Sequence, residues 1–167
     1  MIRRRRESLP VLADGDGFVV QLGADESALV RRLVDELRTL LTDAEPDSEA
    51  RALLVRLFPV AHADDAEAEA EYQRLMRDEL VQSKLASFAI VDEVLASPGR
   101  IDEGRLIAFM QSINSIRLVL GTMLGVTDDP DLPEVNPGFE DAPEYHLYAW
   151  LSWLLDHIVH ALSGNAG

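Results

Sequence analysis

The sequence predicts a mainly α protein, about five helices in a bundle with a small N-terminal β-hairpin, and three observations carry that prediction. Apolar residues recur at three- and four-residue spacing along most of the chain. Helix starts and stops fall at the ends of these periodic segments, as with Asp102 before one of them and Gly125 after it. The β-prone run Phe18-Val19-Val20-Gln21-Leu22 follows the turn sequence Asp14-Gly15-Asp16-Gly17, whose residues tolerate positive φ.

Residues 9–22 form the hairpin, which is marginal alone and must lie on the helical body. Asp25 is the expected N-cap of the first helix, which lines up Val30, Leu33, Val34, Leu37, Leu40 and Leu41 in one stripe. A second helix restarts at Pro46-Asp47-Ser48, turns Leu53, Leu54, Leu57 and Phe58 to one side, and stops at Pro59. Asp64-Asp65 opens a third segment of about 30 residues that ends at Ser97-Pro98-Gly99. The fourth helix, capped by Asp102, carries Leu106, Phe109, Met110, Ile113, Leu120 and Leu124 on one face. Ile107, Ile116, Leu118 and Val119 make its other faces apolar too, so it should be central. Residues 126–143 read as a long loop with four prolines and six acids, and residues 145–162 as the last helix. The chain reads as one domain over residues 1–167. An arm and hairpin occupy 1–23, and a helical bundle occupies 24–163 with the acidic loop 126–143 inside it.

Composition excludes several classes of function. With no cysteine, disulfides, zinc–thiolate sites, iron–sulfur clusters and thiol nucleophiles are ruled out. Thirty acidic against fifteen basic residues give a net charge of −15, which argues against general affinity for nucleic acid or anionic membranes. Arg3, Arg4, Arg5 and Arg6 precede Glu7, Ser8 and Pro10 rather than an apolar segment, so they do not read as a secretory signal. Residues 145–162 contain His146, Asp156, His157 and His160 and suit a core helix better than a membrane span. A cytoplasmic protein is expected.

No catalytic signature is visible, and neither an enzymatic activity nor a cofactor is expected. His157 and His160 lie one helical turn apart but have no third ligand at metal-binding spacing. No Gly-x-Ser-x-Gly elbow and no phosphate loop occur. The four N-terminal arginines Arg3, Arg4, Arg5 and Arg6 are a candidate phosphate-binding arm, although a solvated arm explains them more simply. Asp128, Asp129, Asp131, Glu134, Glu140 and Asp141 form a candidate partner surface. Trp150 and Trp153 suit core packing, and one of them left exposed would make an interface anchor. Asn114 and Arg117 interrupt the central helix three residues apart. They are expected to be buried in a structural polar network, with a carboxylate partner for Arg117.

At these residues the sequence resembles a known family. Ile113-Asn114-Ser115-Ile116-Arg117-Leu118-Val119-Leu120-Gly121-Thr122-Met123-Leu124 is similar to the Leu-Asn-x-Leu-Arg-Leu-x-Leu-Gly-x-x-Leu core of an actinobacterial domain-of-unknown-function family that includes the AosR-like oxidative-stress transcriptional regulators. Leu57-Phe58-Pro59, Asp64-Asp65 and Glu71-Tyr72-Gln73-Arg74-Leu75 resemble its second block, and Tyr148-x-Trp150-Leu151-x-Trp153-Leu154 its C-terminal block. The resemblance implies a non-enzymatic regulator of stress and cysteine-biosynthesis genes that contacts a sigma factor and RNA polymerase. Redox sensing in that family is tied to a cysteine pair, so the resemblance extends no sensing mechanism to this cysteine-free chain. A structural or adaptor protein and a small-molecule-binding domain are the alternative readings. Direct DNA binding should be weak or absent, no membrane is expected, and a homo-oligomer is compatible with the sequence.

Overall fold

The computed structural model describes residues 9–43, 48–58, 61–125 and 142–164. Five helices are present among them: α1 (Ala24–Asp43), α2 (Glu49–Leu53), α3 (Ala66–Ala96), α4 (Glu103–Leu124) and α5 (Pro143–Gly164). A single 3-10 turn, Val55–Leu57, follows α2. Three short strands, β1 (Val11–Asp14), β2 (Gly17–Val20) and β3 (Arg100–Ile101), form an antiparallel sheet in the order β1-β2-β3.

α4 organises the core. Leu106, Phe109 and Ile113 are fully buried, and Ile116, Val119, Leu120 and Leu124 are nearly so, which places apolar side chains around most of the helix. Burying one such side chain contributes about 1.5–3 kcal/mol, so a helix apolar on several faces is stable only when enclosed. α3 packs along one side, α5 along another, and α1 closes the remainder. From α3 come Phe88, Val91 and Val94; from α5 come Leu151, Leu154 and Ile158; from α1 come Val30, Val34 and Leu37. By length and composition α4 is also apolar enough to cross a bilayer, but 56% of its most apolar window is buried inside the protein.

Local chemistry sets the ends of the helices. Asp65 Oδ1 accepts from the Glu67 and Ala68 N–H groups, both at 3.1 Å, and starts the 31-residue α3. Asp102 Oδ1 accepts from Arg105 N–H at 2.8 Å and starts α4, whose end is the left-handed Gly125 at φ +70°. Ser48 Oγ accepts from Arg51 N–H at 3.1 Å at the start of α2. Phe58 has departed from helical geometry (φ −123°, ψ 86°), in keeping with the α region being disfavoured before a proline. Pro46, Asp47 and Pro59 themselves lie outside the described residues. At the entrance to α3, Glu69 accepts from Gln73 Nε2 and from the His62 and Ala61 N–H groups, and these bonds hold its carboxyl below the usual carboxylate range.

The structure corrects three boundaries. α1 begins at Ala24, so Asp25 sits in its first turn rather than at the cap. Gly23 occupies the cap instead: its carbonyl accepts from Ser27 N–H at 2.9 Å, and Glu26 Oε1 reaches back to its N–H at 3.3 Å. α5 begins at Pro143, which suits a first helical turn because the missing N–H would be unbonded there anyway. α2 is only five residues long and passes into the 3-10 turn.

The hairpin forms as expected, with Gly15 at φ +62° in its turn. The sequence did not show its third strand. Arg100–Ile101, in the link between α3 and α4, pairs with Val19 and Phe18 and completes a lid over the fully buried Phe18. Arg100 also reaches across the turn, with its guanidinium 3.4 Å from both the Asp14 carbonyl and an Asp16 carboxylate oxygen. Between α1 and α3, Arg38 Nη2 pairs with Asp92 Oδ2 at 2.9 Å, while its Nη1 holds Asp35. A pair this exposed aligns the helices more than it stabilises them.

Two glycine substitutions test the sheet latch. A Cβ on Gly17 would stand 2.8 Å from both the Ile101 carbonyl oxygen and Arg100 Cγ, whereas one on Gly99 meets nothing within 4 Å. Gly17→Ala should cost about 1–3 kcal/mol by overpacking, while Gly99→Ala should be neutral or stabilising by up to about 1 kcal/mol. Urea unfolding of the two variants checks this contrast.

Candidate functional site

The polar residues that interrupt α4 meet as its helical spacing requires. Arg117 Nη2 donates to Asn114 Oδ1 at 3.0 Å, and Nη1 makes a long contact of 3.5 Å to the Tyr148 hydroxyl on α5. Both residues are half-buried rather than buried, and among the described residues no carboxylate pairs with Arg117. That corrects the expectation of a buried ion pair. The long arginine stem reaches the α4–α5 seam, where amide and phenol oxygens meet the head group at its edge. Arg117 Nε is enclosed without a partner among the described residues.

Arginine can only donate, so the amide oxygen of Asn114 must face Arg117, which leaves the Asn114 NH2 as the group it presents elsewhere. Asn114 lines a cleft of about 290 Å³ between α3, α4 and the 3-10 turn. Ser83, Lys84 and Ser87 face it from α3, Gln111 and Ser115 from α4, and Arg56 from the 3-10 turn. The apolar walls are Leu57, Phe88 and Leu118. In a chain with thirty acids, none of the described lining residues is one.

Lys84 is the only lysine of the fifteen basic residues. It is half-buried, and among the described residues it has neither an ion-pair nor a hydrogen-bond partner. Burial pushes its ammonium below the ordinary 10.5, with no neighbouring charge to offset the shift. Sequence reasoning missed this site. The i, i+4 pair Ser83 and Ser87 and the single lysine were the available signals, but only the packing of α3 on α4 brings them opposite Gln111, Asn114 and Ser115.

The other candidates separate. His157 Nδ1 lies 2.8 Å from the Trp153 carbonyl oxygen and its ring 4.5 Å from the Trp153 ring, whereas His160 is exposed. No group of three or more potential metal ligands occurs among the described residues. Trp150 is half-buried, and Trp153 is 44% exposed. The arm Arg3, Arg4, Arg5 and Arg6 and the acids Asp128, Asp129, Asp131, Glu134, Glu140 and Asp141 lie outside the described residues.

These features define a helical-bundle protein built around one enclosed helix, with a small sheet at one end and a cation- and hydroxyl-lined cleft along α3 and α4. The chain belongs to the family described as a domain of unknown function (DUF2017), whose model matches residues 5–162. No curated protein and no solved structure matches it.

Two substitutions measure the polar network. Arg117→Met keeps most of the stem and strands no buried carboxylate, so it should cost less than about 2 kcal/mol, below the roughly 3–5 kcal/mol of a broken buried ion pair. For Lys84 the sign runs the other way. Its pKa is lower folded than unfolded, so the charged form opposes folding at every pH below the folded value, and that cost fades as pH rises towards 10.5. Lys84→Met should therefore raise Tm at neutral pH by about 1–3 °C, with the gain shrinking above about pH 10. Thermal melts across pH check both.

Proposed function

We propose that this protein is a non-enzymatic transcriptional regulator of the AosR-like, actinobacterial type. It would work in the cytoplasm on oxidative-stress and cysteine-biosynthesis genes through protein contacts with a sigma factor and RNA polymerase. The reading rests on the resemblance carried by residues 113–124, 57–75 and 148–154, and one observation supports contact with a partner. Within the C-terminal block, Leu151 and Leu154 are fully buried and Trp150 is half-buried, but Trp153 is turned outward and 44% exposed. A tryptophan that the core does not need is the side chain best suited to anchor a protein interface, because it buries a large rigid surface at little entropic cost.

Charge supports the same reading. A body of net charge −15 repels duplex DNA and is steered instead towards basic protein surfaces. No Lys or Arg occurs after Arg117, so the acids of residues 128–141 and helix α5 belong to a 50-residue stretch of sequence without either. Trp153 belongs to the same stretch.

In a binding assay with polymerase holoenzyme, Trp153→Ser should weaken the complex by about tenfold or more while changing stability by less than about 1 kcal/mol. Replacing the acids of residues 128–141 by Ser should lower the association rate and its salt dependence. In a mobility-shift assay at physiological salt the isolated protein should bind DNA weakly or not at all. Nanomolar, sequence-selective DNA binding by the protein alone would sink the proposal, as would holoenzyme binding unchanged by both sets of substitutions.

A further inference from the structure

We infer that the cleft between α3, α4 and the 3-10 turn binds a tetrahedral oxyanion, phosphate or sulfate, either free or as the end group of a small metabolite. This goes beyond the protein contacts proposed above and does not depend on them. The cleft has the chemistry of an anion receptor inside a strongly acidic protein. Lys84 and Arg56 are cationic, and the Asn114 amide presents its NH2 because Arg117 holds its oxygen. Ser83 and Ser87 add hydroxyl donors from the same face of α3 as Lys84. No described lining residue is a carboxylate, and among the described residues none pairs with Lys84.

Shape favours a tetrahedral ligand over a planar one. The donors come from three separate elements, α3, α4 and the 3-10 turn, and so approach a central group from three directions. A carboxylate offers two oxygens in one plane and leaves one side unmet; phosphate or sulfate offers an oxygen to each. The volume of about 290 Å³ lies at the lower end of the roughly 300–1,000 Å³ typical of small-molecule sites. That exceeds what a bare oxyanion needs and leaves room for a short polar tail beside Gln111 and Ser115. Leu57, Phe88 and Leu118 lower the local dielectric and strengthen each charge-assisted bond.

Lys84 is the strongest single argument. Of fifteen basic residues, the one lysine is half-buried in the cleft wall and, among the described residues, has no carboxylate paired to it. An ammonium in that position opposes folding until an anion joins it. A lysine kept for stability would be paired or would extend into water.

The experiment is calorimetric titration of the full chain with inorganic phosphate, sulfate and glycerol 3-phosphate. It is run in about 0.15 M chloride, so that the repulsion of the acidic body is screened, with acetate as the planar control. Saturable binding of at least one tetrahedral anion is expected, with Kd from micromolar to low millimolar, together with a rise in Tm on its addition. Tighter binding of glycerol 3-phosphate than of phosphate would identify the ion as the end of a metabolite; equal or weaker binding would identify the free ion. Lys84→Met should weaken binding by about tenfold or more, and so should Asn114→Asp, which puts a carboxylate in the wall without removing a cation. The second variant decides the matter if the first does not fold. Three results overturn the inference: no saturable tetrahedral-anion binding below roughly 10 mM, acetate binding as tightly, or binding that a folded Lys84→Met or Asn114→Asp leaves unchanged.

Discussion

The enclosure of α4 is the constraint on which the rest of the structure depends. Its apolar side chains point in too many directions for one neighbour to cover, so α1, α3 and α5 must all lie against it. That requirement fits the single apolar stripe of α1 and the buried sets Phe88, Val91 and Val94 on α3 and Leu151, Leu154 and Ile158 on α5, each turned into the core around α4. A single helix exposed on one side of α4 would cost several buried side chains at once, each worth about 1.5–3 kcal/mol.

The middle of α4 departs from this apolar pattern on two sides. Along the side facing the 3-10 turn and the middle of α3, the helix carries Gln111, Ser112, Asn114 and Ser115 instead of hydrocarbon. Ser112 satisfies itself by donating to the Ala108 carbonyl one turn back, at 2.9 Å. Asn114 is fixed by Arg117, which leans the other way, towards Tyr148 on α5. The two polar features are therefore one arrangement. Arg117 holds the amide oxygen, and Asn114 lines the same cleft as Lys84 and the serines of α3.

The small sheet solves a separate problem. A two-stranded hairpin cannot hold itself on a helical surface, and this one is fastened by Phe18, which is fully buried, and by a two-residue strand borrowed from the α3–α4 link. Arg100 reaches back over the turn to Asp14 and Asp16. The N-terminal sheet is thereby coupled to the start of α4, so the element that needs most cover also anchors the element with the least core of its own.

The sequence by itself determined the elements that depend on local chemistry. Asp65 and Asp102 act as caps, Gly125 takes the left-handed stop, Gly15 makes the hairpin turn, and the two-faced apolarity of residues 103–124 makes α4 central. Each of these rests on neighbours within one turn or on a period that a linear reading detects. Tertiary structure alone decided what depends on residues distant in the chain. Arg100–Ile101 is too short to carry a strand pattern and becomes one only because Phe18 and Val19 lie beside it. Arg117 reads as a residue that must be buried against an acid, yet its stem is long enough to bring the head group to Asn114 and Tyr148 at the edge of the seam. Lys84 and its serines look in sequence like an ordinary polar stretch of a long helix. They become a cleft because α3 lays that stretch across Gln111, Asn114 and Ser115, roughly 30 residues further along the chain. Convergence of donors is a property of helix packing, and no spacing within a single segment encodes it.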